Sequence, residues 1–447
     1  MKIISDLHIH SKYSRACSKD LDIKNLEKYA KIKGINLLGT GDFTHPKWIL
    51  ELKNNLKENG TGVLRTVSGF PFLLTSEVSL IYSQDGKGRR VHVVLFAKSY
   101  STVEKITQFL LTKGRVDYDG RPIFKIPCPE FVKQMKNIDD TIEIIPAHIW
   151  TPWFSMFGSS SGFNTVEECF LDQAKNIHAL ETGLSSDPQM NWRLTQLDRF
   201  SLVSFSDSHS FWPWRLGREA TIFEFDSEIT YDKLIDALHT KKGLYGTIEV
   251  DPGYGKYHYD GHRNCNVHLS PKESIKLNDK CPVCRRQLTI GVEHRVEELA
   301  DRELGYMPKN APKSIKLIPL SEIISGVLQS SVTSKKVTSI FYELIARFEN
   351  ENKILMELPI EVLKEVCEEK IAEVIIRVRN QDIKVLPGYD GVYGVPILRG
   401  DETYKAGEFD DEENPKTYID EKKEELKKEK LNLNQPIAKQ KGLSEFF

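Results

Sequence analysis

At two places in this sequence a histidine stands two residues after another histidine or an aspartate, each time beside a short apolar run. Asp-Leu-His8-Ile-His10 follows the first such run, and Ser-Asp207-Ser-His209 closes a later one. On an extended strand, residues two apart share a face, so each pair converges on one point. Other apolar runs end in Asp42 (LLGTGD), Glu77 (FLLTSE) and His148 (IEIIPAH), while His92 lies inside RVHVVLF. Imidazoles mixed with carboxylates are donors for zinc, manganese or iron more than for calcium or magnesium alone. These donors exceed what one ion takes, so two or three divalent metals are expected. Clustered cations activate water and neutralise phosphoryl oxygens, the chemistry of phosphate ester hydrolysis. The competing reading has each residue capping a helix or making an isolated loop hydrogen bond. Glu181 (HALETG) ends another run, either orienting a histidine or standing as a plain strand-end carboxylate.

Rings crowd two of these positions. Trp150, Trp153, Phe154 and Phe157 follow His148, and Phe211, Trp212 and Trp214 follow His209. They either stack on an extruded base or form a small satellite core. Arg193, Arg215 and Arg218 either hold phosphates or are ion-paired. Further on, Cys265-Asn-Val-His268 and Cys281-Pro-Val-Cys284 form two knuckles that together complete a closed, structural zinc site. His262, three residues before Cys265, competes with His268 for the fourth place. Arg285, Arg286 and Arg295 nearby allow a nucleic-acid contact, with fold stabilisation alone as the equal alternative.

The elements that must position these groups follow from the pattern of apolar runs. Through about residue 245, runs such as Ile35–Gly39, Phe72–Thr75, Val91–Phe96, Ile142–Ile145, Ile177–Leu180 and Leu202–Phe205 alternate with amphipathic stretches such as Asp22–Lys33 and Glu168–Lys175. That alternation predicts an α/β fold with a parallel sheet or barrel, whose strand ends share one mouth. Residues 246–305 read as a zinc-binding module and 306–400 as a mainly helical domain in contact with DNA. Residues 401–447 read as a disordered charged linker. The 447 residues carry a net charge of −2, divided as −4 over 401–447 and +2 over the rest. That balance neither demands nor excludes nucleic acid. Seven cysteines are too few for a disulfide scaffold and point to a reducing, cytoplasmic setting. The apolar runs are too short to span a membrane.

The His8, His10, Asp42, Glu77, His92, His148, Asp207, His209 pattern resembles the polymerase-and-histidinol-phosphatase (PHP) family. The resemblance implies a distorted (β/α)7-type barrel with these eight residues as metal ligands and catalytic groups. It departs from the family at Ser14 and Arg15, where an acidic or histidine ligand is usual, and at Asp42, where histidine is common. Asp20, Cys17 or His45 stand close enough in sequence to compensate. The chain ends Gln440-Lys-Gly-Leu443-Ser-Glu-Phe446-Phe447, which resembles the sliding-clamp (PCNA) interacting motif at every specified position. A barrel, zinc module, helical domain and clamp tail in this order resemble the archaeal endonuclease Q family. That resemblance implies a DNA repair endonuclease; a monomer is the default expectation, in a cytoplasmic, nucleoid-associated setting. It would nick 5′ of uracil, hypoxanthine, xanthine and abasic sites using divalent zinc, manganese or magnesium. Two rival readings remain, a small-molecule phosphatase and a non-catalytic clamp adaptor.

Overall fold

The computed structural model describes residues 1–398, which lie within one compact unit. The clamp-binding residues Gln440, Leu443, Phe446 and Phe447 and the charged linker fall outside the described residues. The strands, in chain order, are β1 (Lys2–Asp6), β2 (Leu37–Gly39), β3 (Leu64–Arg65), β4 (Pro71–Gln84), β5 (Lys87–Ala97), β6 (Ile123–Phe124), β7 (Glu143–Pro146), β8 (Ala179–Glu181), β9 (Ser201–Val203), β10 (Ala220–Glu224), β11 (Leu244–Glu249), β12 (Asp260–His262), β13 (Val267–Leu269) and β14 (Lys313–Lys316). A curled ten-stranded sheet runs β14-β11-β10-β1-β2-β4-β5-β7, with β3 and β6 paired to β4. The parallel pair β8-β9 completes the half-barrel. Each apolar run of the first 245 residues lies on or directly against one of these strands, because a strand covered on both faces reads as continuous hydrophobics.

Local signals set several boundaries. Asp22 caps the helix Ile23–Lys33 by accepting the Asn25 N–H, and Gly34 ends it at φ +92°, a conformation open to glycine. Leu26, Tyr29 and Ala30 face the core. The long β4–β5 hairpin turns on Asp85-Gly86, both at positive φ, with Gln84 opposite Lys87. This is the two-residue turn that Asp-Gly favours. The hairpin makes the barrel irregular, since β5 runs antiparallel to both β4 and β7. His92 therefore lies mid-strand rather than at a strand end.

The C-terminal part differs from its expected outline at one place. Lys313–Lys316 belongs to the barrel sheet, as β14 beside β11, and not to a helix. An edge strand of four residues, three of them polar, carries no apolar period to announce it. The helices Leu320–Leu328, Lys335–Phe348, Glu351–Met356, Ile360–Lys364 and Glu369–Arg379 then follow. They join the barrel through a buried ion pair. Lys33 Nζ lies 2.6 Å from Glu351 and donates at 2.9 Å to the Pro213 carbonyl. Glu351 also accepts the Leu320 N–H at 2.9 Å.

Inside the barrel, the Ser204 hydroxyl lies 2.9 Å from Glu219 and 3.0 Å from Glu249, both fully buried. One hydroxyl has one proton, so one carboxyl must itself donate. Burial accordingly pushes Glu219 up to about 8 and raises Glu249 as well.

Two outcomes are expected. Lys33→Met, which strands the Glu351 charge, should cost about 3–5 kcal/mol in urea unfolding. Because the folded-state pKa of Glu219 lies above its unfolded value, its contribution is full below about pH 4.5. It is lost as pH rises toward 8. Glu219→Gln should flatten that decline in thermal midpoints measured from pH 5 to 8.

Candidate metal centre

The groups predicted from strand ends meet around Glu77, a fully buried residue of β4. Each carboxylate oxygen serves a separate set. Oε2 lies 3.5 Å from His8 Nε2 and 3.2 Å from His10 Nε2, and Asp207 Oδ1 is 3.5 and 3.0 Å from the same two nitrogens. Oε1 lies 2.6 Å from His92 Nδ1 and 3.3 Å from His148 Nε2, which are 3.3 Å from each other. Donors at bond lengths of about 2.1 Å around one ion stand about 3.0–3.4 Å apart, for octahedral and tetrahedral geometry respectively. The first set, at 3.0–3.5 Å, lies close to that spacing; in the second, His148 stands 3.3 Å from both partners while the 2.6 Å contact of His92 with Glu77 is a hydrogen-bond length, and Glu77 joins the two sets.

The chemistry of the donors also fits cations. His8 Nε2 is buried and has no hydrogen-bond partner. Its Nδ1 is 3.0 Å from both oxygens of Glu181. A carboxylate can only accept, so Nδ1 carries the proton and Nε2 offers its lone pair inward. Asp42 does the same for His10, at 3.0 Å from Nδ1. Asp42 was expected among the metal ligands, but its oxygens are engaged by His10, by the Ser11 N–H at 2.6 Å and by the Ser14 hydroxyl at 2.9 Å. It orients a ligand here. Ser14 thus takes part in holding Asp42 at the place where an acidic residue was missed. Of the three residues proposed to compensate, Asp20 is exposed, His45 stacks on Tyr13 and Cys17 is half-buried. His209 stands beside His10, with ring centroids 4.4 Å apart, and is a third exposed.

Without cations this cluster is electrostatically loaded. Burial opposes charge on His8 and His10, yet the surrounding carboxylates outweigh it and hold both well above the usual imidazole range. Glu77 is correspondingly held well below the carboxylate range despite its burial, by His92, Arg121 and His8. His92 is lowered to about 4, chiefly by burial. The backbone is strained at the same place. Asp42, His148 and Asp207 all have positive φ, at 47°, 30° and 47°. Asp6 steadies this mouth by accepting the Ser206 N–H and hydroxyl and the Gly217 N–H, which brackets the loop carrying Asp207 and His209.

Arg121 escaped the sequence reasoning. Its Nη1 lies 3.1 Å from Glu77 Oε2, and the side chain is 28% exposed. It follows Gly120, where an added Cβ would fall 2.2 Å from Asp42 Oδ2 and 2.3 Å from the Ser14 hydroxyl, so only glycine lets this loop approach. It sits in an irregular loop, and strand-end patterns do not reach such residues. Gly-Arg-Pro was the one local hint. The arginines that were singled out serve elsewhere: Arg193 pairs with Glu297 at 2.7 Å, and Arg215 reaches Glu322 at 3.9 Å. Burial lowers Arg218, whose Nε has no partner.

The rings divide. Trp150 and Phe157 are buried against each other, and Phe211 packs on Tyr29. Phe154 tilts over His92 at 4.8 Å. Trp153 and Trp212 are 40% and 39% exposed, and Trp212 stacks flat on Trp214 at 5.2 Å.

In the small module, one donor atom each of His262, Cys265, Cys281 and Cys284 lie within 4.8 Å of one another. His268, the residue expected as fourth ligand, stacks on Tyr389 at 5.0 Å. The β12–β13 hairpin explains the exchange, because His262 and Val267 are paired across it while His268 faces the opposite side. The Arg286 N–H lowers the Cys284 thiol. Arg295 is structural, donating to the Phe157 and Phe163 carbonyls at 3.2 and 3.1 Å.

A curled α/β half-barrel with buried imidazoles and carboxylates gathered at its mouth defines a metal-dependent hydrolase. Two solved structures share the fold over nearly its whole length. The lesion-specific endonuclease PfuEndoQ of Pyrococcus furiosus is 32% identical, with a TM-score of 0.80 over 90% of this chain and 96% of that one. An endonuclease Q complexed with a 27-mer duplex bearing an abasic lesion at its active site is 33% identical, with a TM-score of 0.79 over 90% and 97%. The chain belongs to the endonuclease Q family. Residues 319–382 match the MJ0043 C-terminal domain family. Protein MJ0043 of Methanocaldococcus jannaschii is 32% identical over 289 residues, 63% of this chain, which spans about a third (34%) of that protein's length. YqxK of Bacillus subtilis is 26% identical over 88% of this chain and 98% of its own.

The orienting role of Glu181 is testable. Glu181→Gln should weaken metal binding at the barrel mouth about 10–100-fold in a chelator competition, because an amide offers a donor as readily as an acceptor to His8.

Proposed function

We propose that this chain is a DNA repair endonuclease that hydrolyses the phosphodiester 5′ of a deaminated base or an abasic site. The observation that carries the reading is the bridging Glu77, each oxygen of which meets its own ligand set. Family membership supports DNA as the substrate.

In this reading His8, His10, Glu77 and Asp207 hold one divalent ion, and Glu77, His92 and His148 hold a second, as zinc, manganese or magnesium. His209 stands beside this set on the solvent side, its Nδ1 3.0 Å from the Asp207 carbonyl, and would add a further donor. Such ions supply Lewis-acid activation of water and neutralise charge on the phosphoryl oxygens. The chain's own residues do the rest. Glu181 and Asp42 keep the His8 and His10 lone pairs aimed inward. Arg121, fixed beside Glu77, offers its remaining N–H groups to a non-bridging phosphate oxygen. Trp153, Trp212 and Trp214 provide exposed faces for bases displaced from the stack, at a cost least for a mispaired or missing base. His262, Cys265, Cys281 and Cys284 form a closed structural zinc site. Uracil and hypoxanthine carry a carbonyl where cytosine and adenine carry an amine, so a pocket that donates a hydrogen bond there would accept both and reject the parent bases. The tail residues Gln440, Leu443, Phe446 and Phe447 tether the enzyme, working as a monomer on chromosomal DNA in the cytoplasm, to a sliding clamp. No helix among the described residues is long and apolar enough to cross a membrane.

A nicking assay on end-labelled DNA carrying deoxyuridine, deoxyinosine, an abasic site or no lesion tests this. Metal-loaded protein should cut only the damaged strands, 5′ of the lesion. Asp207→Ala should abolish cutting, and Arg121→Ala should slow it about 10²–10³-fold. Removal of residues 440–447 should leave cutting of naked DNA intact while abolishing clamp binding. Intact damaged DNA beside rapid phosphomonoester hydrolysis would replace the endonuclease with a phosphatase.

A further inference from the structure

A second cluster of metal-ligand side chains lies at the opposite end of the barrel, and the reading above makes no use of it. Glu143 opens β7 and is fully buried. His178 directly precedes β8, and His239 lies in the last turn of the helix Tyr231–Thr240. β7 and β8 lead at their other ends to His148 and Glu181, so this cluster lies about 15 Å below the mouth.

His178 Nδ1 is 3.4 Å from Glu143 Oε1, and His239 Nε2 is 2.8 Å from Oε2. The two imidazoles stack with centroids 3.5 Å apart and planes 25° from parallel. Glu143 Oε1 and His178 Nδ1 are both buried and neither has a hydrogen-bond partner. An unsatisfied oxygen and nitrogen facing each other cost free energy as they stand. At this separation they form one edge of a tetrahedron around an ion with bonds of about 2.1 Å. The nearest lysine does not fill that role, since Lys136 Nζ donates to the Asp140 and Ile142 carbonyls at 3.1 and 2.6 Å. His178 and His239 are 28% and 32% exposed, which leaves an entry path and an open fourth position.

We propose that Glu143, His178 and His239 bind a divalent transition-metal ion, zinc by the character of its donors, at a site separate from the barrel mouth and from the cysteine module. Bound there, the ion ties β7 and the β8 approach to the helix Tyr231–Thr240 and closes the base of the barrel.

The test counts metal in the full-length protein without an affinity tag. Wild type, His239→Ala and His239→Cys are saturated with zinc, freed of excess by gel filtration, and assayed by mass spectrometry for zinc per chain. The expected result is one zinc fewer in the alanine variant and the wild-type count in the cysteine variant, which keeps a ligand at that position. The zinc-induced rise in thermal midpoint should follow the same order. An equal count in all three proteins would overturn the site, leaving a hydrogen-bonded triad. A deficit in the cysteine variant equal to that in the alanine variant would overturn it as well. If His239→Ala does not fold, His178→Ala supplies the same comparison.

Discussion

A buried carboxylate surrounded by imidazoles is the constraint that the rest of this structure serves. Glu77 and Asp207 are negative charges drawn out of water, and burial alone would drive both toward neutrality. What holds them ionised is positive charge at close range, whether protonated His8 and His10 or divalent ions in their place. Metal binding and proton loss at these histidines are therefore linked. The geometry favours ions. Donor spacings of 3.0–3.5 Å surround Glu77 Oε2 and Asp207 Oδ1, whereas protons alone would leave His8 Nε2 unsatisfied.

Much of the barrel can be understood as support for that arrangement. Glu181 and Asp42 choose the tautomers of His8 and His10, and each comes from a different strand end. Asp6 fastens the loop bearing Asp207 and His209 through three hydrogen bonds. Positive φ at Asp42, His148 and Asp207 concentrates backbone strain where the ligands must point inward. The irregular β4–β5 hairpin has a function as well. It puts Glu77 and His92 on neighbouring antiparallel strands, close enough for a 2.6 Å contact that strand ends alone would not supply.

The C-terminal helices are bound into the same scheme. Lys33 reaches both Glu351 and the Pro213 carbonyl, so one ammonium links the first helix, the helical segment and the loop presenting Trp212 and Trp214. Arg295 similarly anchors the cysteine module to the carbonyls of Phe157 and Phe163, near the rings that follow His148. Trp212 and Trp214 are thereby held on a rigid frame.

Residue type and short-range spacing were enough to mark the donors. His8 and His10, and Asp207 and His209, stand out because a period of two places alternate residues on one face, and Glu77 and His148 because each closes an apolar run, although Glu77 lies in the middle of β4. The same reasoning located the barrel strands and the CPVC knuckle. Tertiary structure alone decided how the donors divide their work. Asp42 turns out to hold His10, His262 rather than His268 stands beside the three cysteines, β14 joins the barrel, and Arg121 arrives from a loop. Each of these outcomes depends on which groups from distant parts of the chain compete for the same hydrogen bond or the same face. Local pattern carries no information about such competition, because it is settled by distances that exist only after the chain has folded.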